Sequence, residues 1–205
     1  FFDDRMEAKN ALLSWTDELI ATAAGGVLHP GAKGRGLLGR VLTDSRVACK
    51  NGIFVALRGE NHDAHDYLDQ AVRNGATCLV VDHIPAVFSS LEVSLIVVGD
   101  TQRALGDMAR FRRRQLAFLA DQKVIGITGS CGKTTVKEML SAILARKWPA
   151  GPDHPVDSVL KTMGNFNNLI GLPLSLLPLA MNHHAAVLEM GMNRPGELAR
   201  LGEIA

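Results

Sequence analysis

The chain has 205 residues, 47% hydrophobic and 21% charged, with 20 glycines and a formal net charge of +1 at pH 7. That balance fits a globular chain of one large or two small domains, and it lacks the basic excess of an electrostatically driven nucleic-acid binder. Cys49, Cys78 and Cys131 lie far apart with no C-x-x-C pair, which argues against a disulfide framework or a structural zinc and for a reducing cytosol.

The opening "FFDDRMEAKN" lacks the basic-then-apolar order of a signal peptide; Met6 is read as the native start and residues 1–5 are set aside. No apolar run approaches the roughly 18 to 20 residues of a bilayer span. "TDELIATAA", residues 16–24, predicts a short helix with Thr16 as N-cap and Gly25-Gly26 as its stop. After a Gly-rich loop, "RVLTDSR" and "GIFVALRG" predict two strands separated by a turn at Lys50-Asn51-Gly52. "HDYLDQAVRNGA" has helical apolar spacing and stops at Gly75, while "TCLVVD" and "SLIVVGD" read as short buried strands. This alternation predicts a compact α/β unit over about residues 11–98.

Residues 101–118, "TQRALGDMARFRRRQLAF", predict a capped amphipathic helix. With so little net charge, Arg110 and the run Arg112-Arg113-Arg114 read as a solvated helix face rather than a polyanion site. Asp121-Gln122 is a short polar break, and the domain boundary is placed there: a first domain over 11–120 and a second from 121 to 205. The second opens with the strand "VIGIT", a glycine loop and a helix from about Thr134 to Arg146. "KWPAGPDHPVDS" is a Pro/Gly-rich loop, "HAAVLEMG" a buried strand ending in an acid, and "RPGELARLGEIA" the start of a helix.

The stretch "ITGSCGKTTVKEML" carries the chemistry. The general phosphate-loop pattern G-x-x-x-x-G-K-[ST] needs a glycine where Ile127 stands, so the loop is a shorter Gly129-Ser130-Cys131-Gly132-Lys133-Thr134. A helix entered through glycines presents unpaired backbone N–H groups and the positive end of its dipole, a site suited to phosphate. Lys133 would reach the β/γ-phosphates and the Thr134 hydroxyl would take Mg²⁺. A plain strand–turn–helix junction has no need of Gly-Lys-Thr-Thr together. A second acid at the end of a neighbouring strand is required to hold or orient magnesium, and Glu189 ends "AAVLE" in that way. Between them, "TMGNFNNLIGLPLSLL" (162–177) sets Asn165, Asn167 and Asn168 before an apolar helix, readable as a capping turn or as site residues. Cys131 reads as a spacer. A zinc site on His62 and His65 is set aside for want of further clustered ligands.

Taken together, "ITGSCGKTTVKEML", "TMGNFNNLIGLPLSLL" and "AVLEMGMNRPGEL", with "TDSR" and "FVALRGENHDAHDYLDQAVRNGA" upstream, resemble the Mur ligase family. The details are similar to the member that adds D-alanyl-D-alanine to UDP-N-acetylmuramoyl-tripeptide. The alternatives kept are a sister ligase of the family, a folylpolyglutamate-type ligase, and a P-loop ATPase module that hydrolyses ATP without ligation.

The resemblance implies an α/β enzyme with a small UDP-binding N-terminal domain, a P-loop-type central domain with a mostly parallel sheet, and a C-terminal domain. This chain is expected to carry the first over 11–120 and an incomplete central domain over 121–205. The C-terminal domain is expected to be absent and this chain to lack ligase activity. By the same resemblance Thr43, Ser45 and the Glu60-Asn61-His62 turn line the uridine-diphosphate end, braced by Asp44 and Arg46. Gly129, Ser130, Cys131, Gly132, Lys133, Thr134 and Thr135 bind ATP, with Asn165 and Asn168 near the reacting phosphates. Thr134 and Glu189 hold Mg²⁺, and Lys133 and Glu189 are catalytic. The implied reaction forms an amide through an acyl phosphate in cytoplasmic peptidoglycan precursor synthesis. Its partners are small molecules, with no nucleic acid and no membrane span, and the full-length enzyme is expected to be a monomer. Ala64 replaces the glycine usual between Asp63 and His65, and Asn193-Arg194 stand where some relatives carry a histidine.

Overall fold

The computed structural model describes residues 14–31, 36–86, 92–120, 122–149 and 158–205. The chain divides into two compact units, with the division between Met108 and Ala109. The elements of the first unit are helix α1 (Asp17–Ala24), strands β1 (Val27–His29), β2 (Val41–Leu42) and β3 (Gly52–Val55), a 3-10 turn (Ala64–Tyr67), helix α2 (Leu68–Arg73), strands β4 (Ala76–Val81) and β5 (Ser94–Val97), and the start of helix α3 (Thr101–Ala120).

Its five-stranded sheet runs β1-β5-β4-β3-β2, with β2 to β5 parallel and β1 antiparallel at the edge. Strand β3 is buried along its whole length, as a parallel strand covered on both faces must be. Phe54, Leu79 and Leu95 sit in one register row, packed against Leu68 and Ala71 of α2. Thr16 caps α1 by accepting the Leu19 N–H at 3.2 Å, as the sequence predicts. Asp17 is buried beside it; burial pushes its carboxyl up, and the Ser94 hydroxyl donates to it at 2.6 Å.

Two sequence expectations differ here. The strand expected over "RVLTDSR" is only Val41–Leu42, because the Asp44 carboxylate accepts the Arg46 backbone N–H at 3.0 Å and turns the chain out of the sheet. The edge strand β1 falls in what the sequence presents as a Gly-rich loop.

The second unit holds strand β6 (Lys123–Ile127), helix α4 (Lys133–Lys147), strand β7 (Val159–Lys161), helix α5 (Gly171–Leu176), strand β8 (Ala185–Glu189) and helix α6 (Glu197–Ile204). The sheet is parallel, in the order β6-β8-β7, and all five residues of the central β8 are buried. Alternation along β8 builds a core on each face. Ala186 and Leu188 join Leu116 of α3, Leu172 and Leu176 of α5, and Leu201 and Ile204 of α6. Ala185 and Val187 instead meet Val159, with Leu140 and Leu144 of α4 packed against them.

The boundary thus lies inside α3, not at Asp121-Gln122. Ala104, Leu105 and Met108 are buried in the first unit, whereas Ala109 and Leu116 belong to the second unit's core, so one continuous helix serves both. Gln122 is no loose linker: its Nε2 donates to the carbonyls of Ala180 at 2.6 Å and His183 at 2.8 Å. The arginines do not all form a solvated face: Arg114 is exposed, but Arg112 and Arg113 are not. Arg112 is 6% exposed and burial pulls its guanidinium down to about 10, while Arg113 donates to the Ile204 carbonyl at 3.0 Å. The second half of α3 turns this side toward the protein, and charge composition alone does not reveal that. Among the described residues no helix is long and apolar enough to cross a membrane.

Two helix glycines test the packing in opposite directions. A Cβ on Gly171 would come within 2.4 Å of the Phe166 Cα, whereas one on Gly202 meets nothing within 4 Å. Gly171→Ala is expected to lower stability by roughly 1–3 kcal/mol through overpacking. Gly202→Ala is expected to raise it by roughly 0.4–1 kcal/mol, by restricting the unfolded chain. Urea unfolding midpoints of the two variants check the opposite signs.

Candidate active site: a glycine loop facing a buried carboxylate

Strand β6 delivers the chain to Gly129, with φ 150°, and Gly132, with φ 74°, before α4 begins at Lys133. Gly132 is the left-handed residue at the helix entrance, a conformation a Cβ would strain. No side chain caps this helix, so its first N–H groups are left for an external acceptor. Lys133 bends back over the loop, its Nζ donating to the Gly129 carbonyl at 2.7 Å.

Opposite stands Glu189, whose residue pairs with Ile127 in the register of β8 and β6. It is 3% exposed. Its Oε2 accepts the Thr134 hydroxyl at 2.9 Å and its Oε1 accepts Asn167 Nδ2 at 2.9 Å, while its backbone N–H donates to Thr162 Oγ1 at 2.9 Å. The Lys137 ammonium lies 3.8 Å from Oε2. A cavity of about 730 Å³ opens beside this cluster, walled by the loop, the asparagine segment and the chain after β8.

The structure brings Gly129, Ser130, Lys133, Asn165 and Asn168 to the cavity wall. Thr134 and Glu189 are joined to each other next to it. Cys131 and Thr135 are exposed and do not line it. Asn168 Oδ1 accepts the N–H groups of Ile170 at 3.1 Å and Gly171 at 2.8 Å, so the capping reading holds for that atom while the residue still lines the cavity. Asn167, which the sequence leaves readable as a capping or a site residue, joins the cluster through Glu189. So does Lys137, one turn beyond Lys133, which the sequence reading does not single out. Helical spacing is the signal for Lys137, since i and i+4 share a face.

The first unit holds a second cavity of about 490 Å³, whose walls include Thr43, Asp44, Ser45, Arg46, His62 and Gln70. The Ser45 hydroxyl donates to Gln70 Oε1 at 2.6 Å. The Arg46 guanidinium beside Asp44 holds that carboxyl down at about 2. Glu60 and Asn61 are exposed and do not line the cavity, because the Gly59 N–H donates to the His62 carbonyl at 2.8 Å and closes a tight turn that carries both outward.

Behind His62, Asp63 accepts from Arg58 Nε at 2.8 Å and from the His65 N–H at 3.0 Å, and it contacts the His65 ring. The His65 ring is linked to Asp82, not to His62; with His83 these three place potential ligand atoms within 4.8 Å of one another. His65 Nε2 already accepts the Asp82 N–H at 3.2 Å, and Arg58 sits 3.3 Å from Asp82, so a cation would displace both.

Strand, glycine loop, helix and an acid at the end of the adjacent parallel strand form a P-loop-type α/β arrangement. Residues 127–205 match the family model for the Mur ligase middle domain. The chain is 45% identical over 159 residues to the UDP-N-acetylmuramoyl-tripeptide–D-alanyl-D-alanine ligase of Haemophilus influenzae, covering 78% of this chain and 32% of that protein. For the ligase of the same name from Treponema pallidum the identity is 36% over 200 residues, covering 94% and 40%. Among solved structures, MurF from Acinetobacter baumannii aligns with TM-score 0.80 and 39% identity, over 93% of this chain and 38% of the other. MurF ligase from Thermotoga maritima in complex with ADP gives 0.66 and 35%, over 81% and 35%. The chain belongs to the Mur ligase family. It spans between 32% and 40% of the length of the two curated relatives cited.

The loop behind the smaller cavity carries a pH signature. Burial pushes Asp63 up, but the His65 N–H and ring and the Arg58 guanidinium outweigh it and hold the carboxyl at about 2, against an ordinary 3.8. A depressed carboxylate contributes stability that is complete above its unfolded value and lost as pH falls through the folded one, here between about pH 4 and pH 2. Asp63→Asn is therefore expected to be less stable than wild type at pH 6, with the difference shrinking across that window. Urea midpoints measured from pH 6 to 2 check this, and a pH-independent difference would refute the charge origin.

Proposed function

We propose that the protein is an ATP- and Mg²⁺-dependent ligase that joins D-alanyl-D-alanine to UDP-N-acetylmuramoyl-tripeptide in peptidoglycan precursor synthesis. The observation that carries this reading is the Thr134–Glu189 contact, which sets a hydroxyl and a carboxylate 2.9 Å apart beside the glycine loop. The activity named for the relatives, and the ADP complex of one structural neighbour, support it.

ATP would lie along the loop from Gly129 to Thr134. The first N–H groups of α4 face the phosphates, and Lys133 exchanges the Gly129 carbonyl for the β/γ-phosphate oxygens. Two hard oxygens side by side suit Mg²⁺, so Thr134 and Glu189 would hold it, and the ion would supply charge neutralisation on the triphosphate. Asn165 and Asn168 lie near the reacting phosphates. Asn168 has its Oδ1 in the turn before α5, so its amide NH₂ is the end that reaches a phosphate.

An oxygen of the tripeptide's terminal carboxylate attacks the γ-phosphorus and ADP leaves. The D-alanyl-D-alanine amine then attacks the acyl carbon, phosphate departs and the amine loses a proton. Negative charge moves between oxygens in both steps, and the chain's contribution is position and fixed positive charge, chiefly from Lys133. The cavity at Thr43, Ser45 and His62 takes the uridine-diphosphate end of the substrate. We assign the activity to the cytoplasm, where ATP is available.

Lys133→Ala in the full-length protein is expected to lower ATP-dependent phosphate release by about 10²-fold or more with an unchanged circular dichroism spectrum. Near wild-type release would overturn the reading. Ser45→Ala is expected to weaken binding of the UDP-muramoyl substrate by roughly 3- to 10-fold, the loss of one hydrogen bond, and to leave ATP affinity unchanged. Calorimetric titration of each ligand separates the two effects.

A further inference from the structure

Lys137 is a lysine with 1% of its surface exposed, which is unusual for a side chain whose ammonium binds water strongly. A buried charge persists only where a partner offsets its lost hydration. Its Nζ lies 3.3 Å from Glu138 Oε1 and 3.8 Å from Glu189 Oε2. The two acids are not equivalent. Glu138 has a side chain 48% exposed and already paired with Lys161, so water and a second lysine serve it. Glu189 has a side chain 4% exposed, and among the described residues its only ion pair is with Lys137. Its other side-chain partners, Thr134 and Asn167, are neutral donors. Lys133 is engaged with the Gly129 carbonyl instead.

We propose that Lys137 is a positioning residue, an internal counter-ion that holds the Glu189 carboxylate against Thr134 before a divalent cation binds. The cation then takes over part of that charge balance. Because Lys137 stands off at 3.8 Å, beyond direct hydrogen bonding, it steadies the charge without covering the oxygen that Thr134 reaches. Removing the ammonium leaves a buried carboxylate without a charge partner, which destabilises the metal-free protein and raises the gain from cation binding. The cation half of this inference rests on the nucleotide-site reading above; the ion-pair half does not.

The test is a double-mutant cycle in the full-length protein with Lys137→Met, Glu189→Gln and both together, read by thermal unfolding with and without Mg²⁺ and ADP. Lys137→Met is expected to lower the metal-free midpoint, and adding Glu189→Gln is expected to recover part of the loss. Mg²⁺ with ADP is expected to raise the midpoint of Lys137→Met more than that of wild type, with half-saturation at about a threefold or greater lower Mg²⁺ concentration. The increment is expected to vanish in both Glu189→Gln proteins. Strictly additive effects of the two substitutions would overturn the counter-ion role, since a lysine that only fills space gains nothing from neutralising Glu189. If Lys137→Met does not fold, the double variant is expected to fold, and its failure would equally overturn the role. A wild-type protein with no Mg²⁺- and ADP-dependent shift would refute the nucleotide-site reading, and non-additivity in the same cycle would still support the ion pair.

Discussion

Placing a carboxylate at the buried end of the central strand constrains everything around it. Glu189 is 3% exposed, so both of its oxygens need donors from the protein. One donor comes from the first turn of α4, another from the asparagine segment, and the nearest positive charge from one turn further along α4. Those demands fix the rotation of α4 about its axis, because Thr134 and Lys137, three residues apart, must face the same strand. The glycine loop is in turn held between β6 and a helix that cannot rotate, so its N–H groups keep one direction. A loop whose backbone must meet a phosphate benefits from that rigidity, since preorganised dipoles need no rearrangement when charge develops.

The same strand explains why the asparagine segment sits where it does. Leu188 faces the α5 and α6 side of the sheet, and Gly171 lets the first residue of α5 approach the Phe166 backbone closely. With α5 seated there, Asn167 is left pointing at Glu189, and its carbonyl accepts the Gly191 N–H at 2.8 Å just past the strand. One short segment thus closes a helix start, a strand end and a carboxylate at once. A change at Gly171 would therefore reach the site through packing, without touching any group that meets a ligand.

Much of this was legible in the residues, for reasons that differ from element to element. The glycine loop and Glu189 could be found because Gly-Lys-Thr-Thr between an apolar strand and a helix has few other uses, and because a strand ending in an acid stands out. Helix α1 was visible in Thr16 and Gly25, where capping chemistry is local. Strand β1 was not visible, since Val27–His29 pairs antiparallel with β5 across almost 70 residues and leaves no local period. Strand β7 is likewise only Val159–Lys161, too short for an alternation to register. Arg112 and Arg113 of α3 misled because composition reports charge but not direction: Arg112 is buried and Arg113 reaches the Ile204 carbonyl. Lys137 was hidden for the converse reason: a lysine on a helix is solvated by default, and only the position of Glu189 makes it internal.

The two cavities show two ways of holding polar groups, and the difference follows from solvent. Around the smaller one, Asp44 pairs with Arg46 and Asp63 with Arg58, and both arginine side chains are more than half exposed. Water and salt share those charges, so each pair sets loop geometry more than it adds stability. Such a wall can adjust around a ligand, because breaking one contact exposes groups that water accepts at once. Around Glu189 water is excluded, and a broken contact leaves a buried charge or donor without a partner, which is costly. That part of the wall cannot yield by degrees. A rigid carboxylate facing a glycine loop suits a group that must be held in one position while charge moves, and an adjustable loop wall suits a group that only has to be recognised. The polar residues thus divide between a wall that holds a group in one place and a wall that can adjust to it.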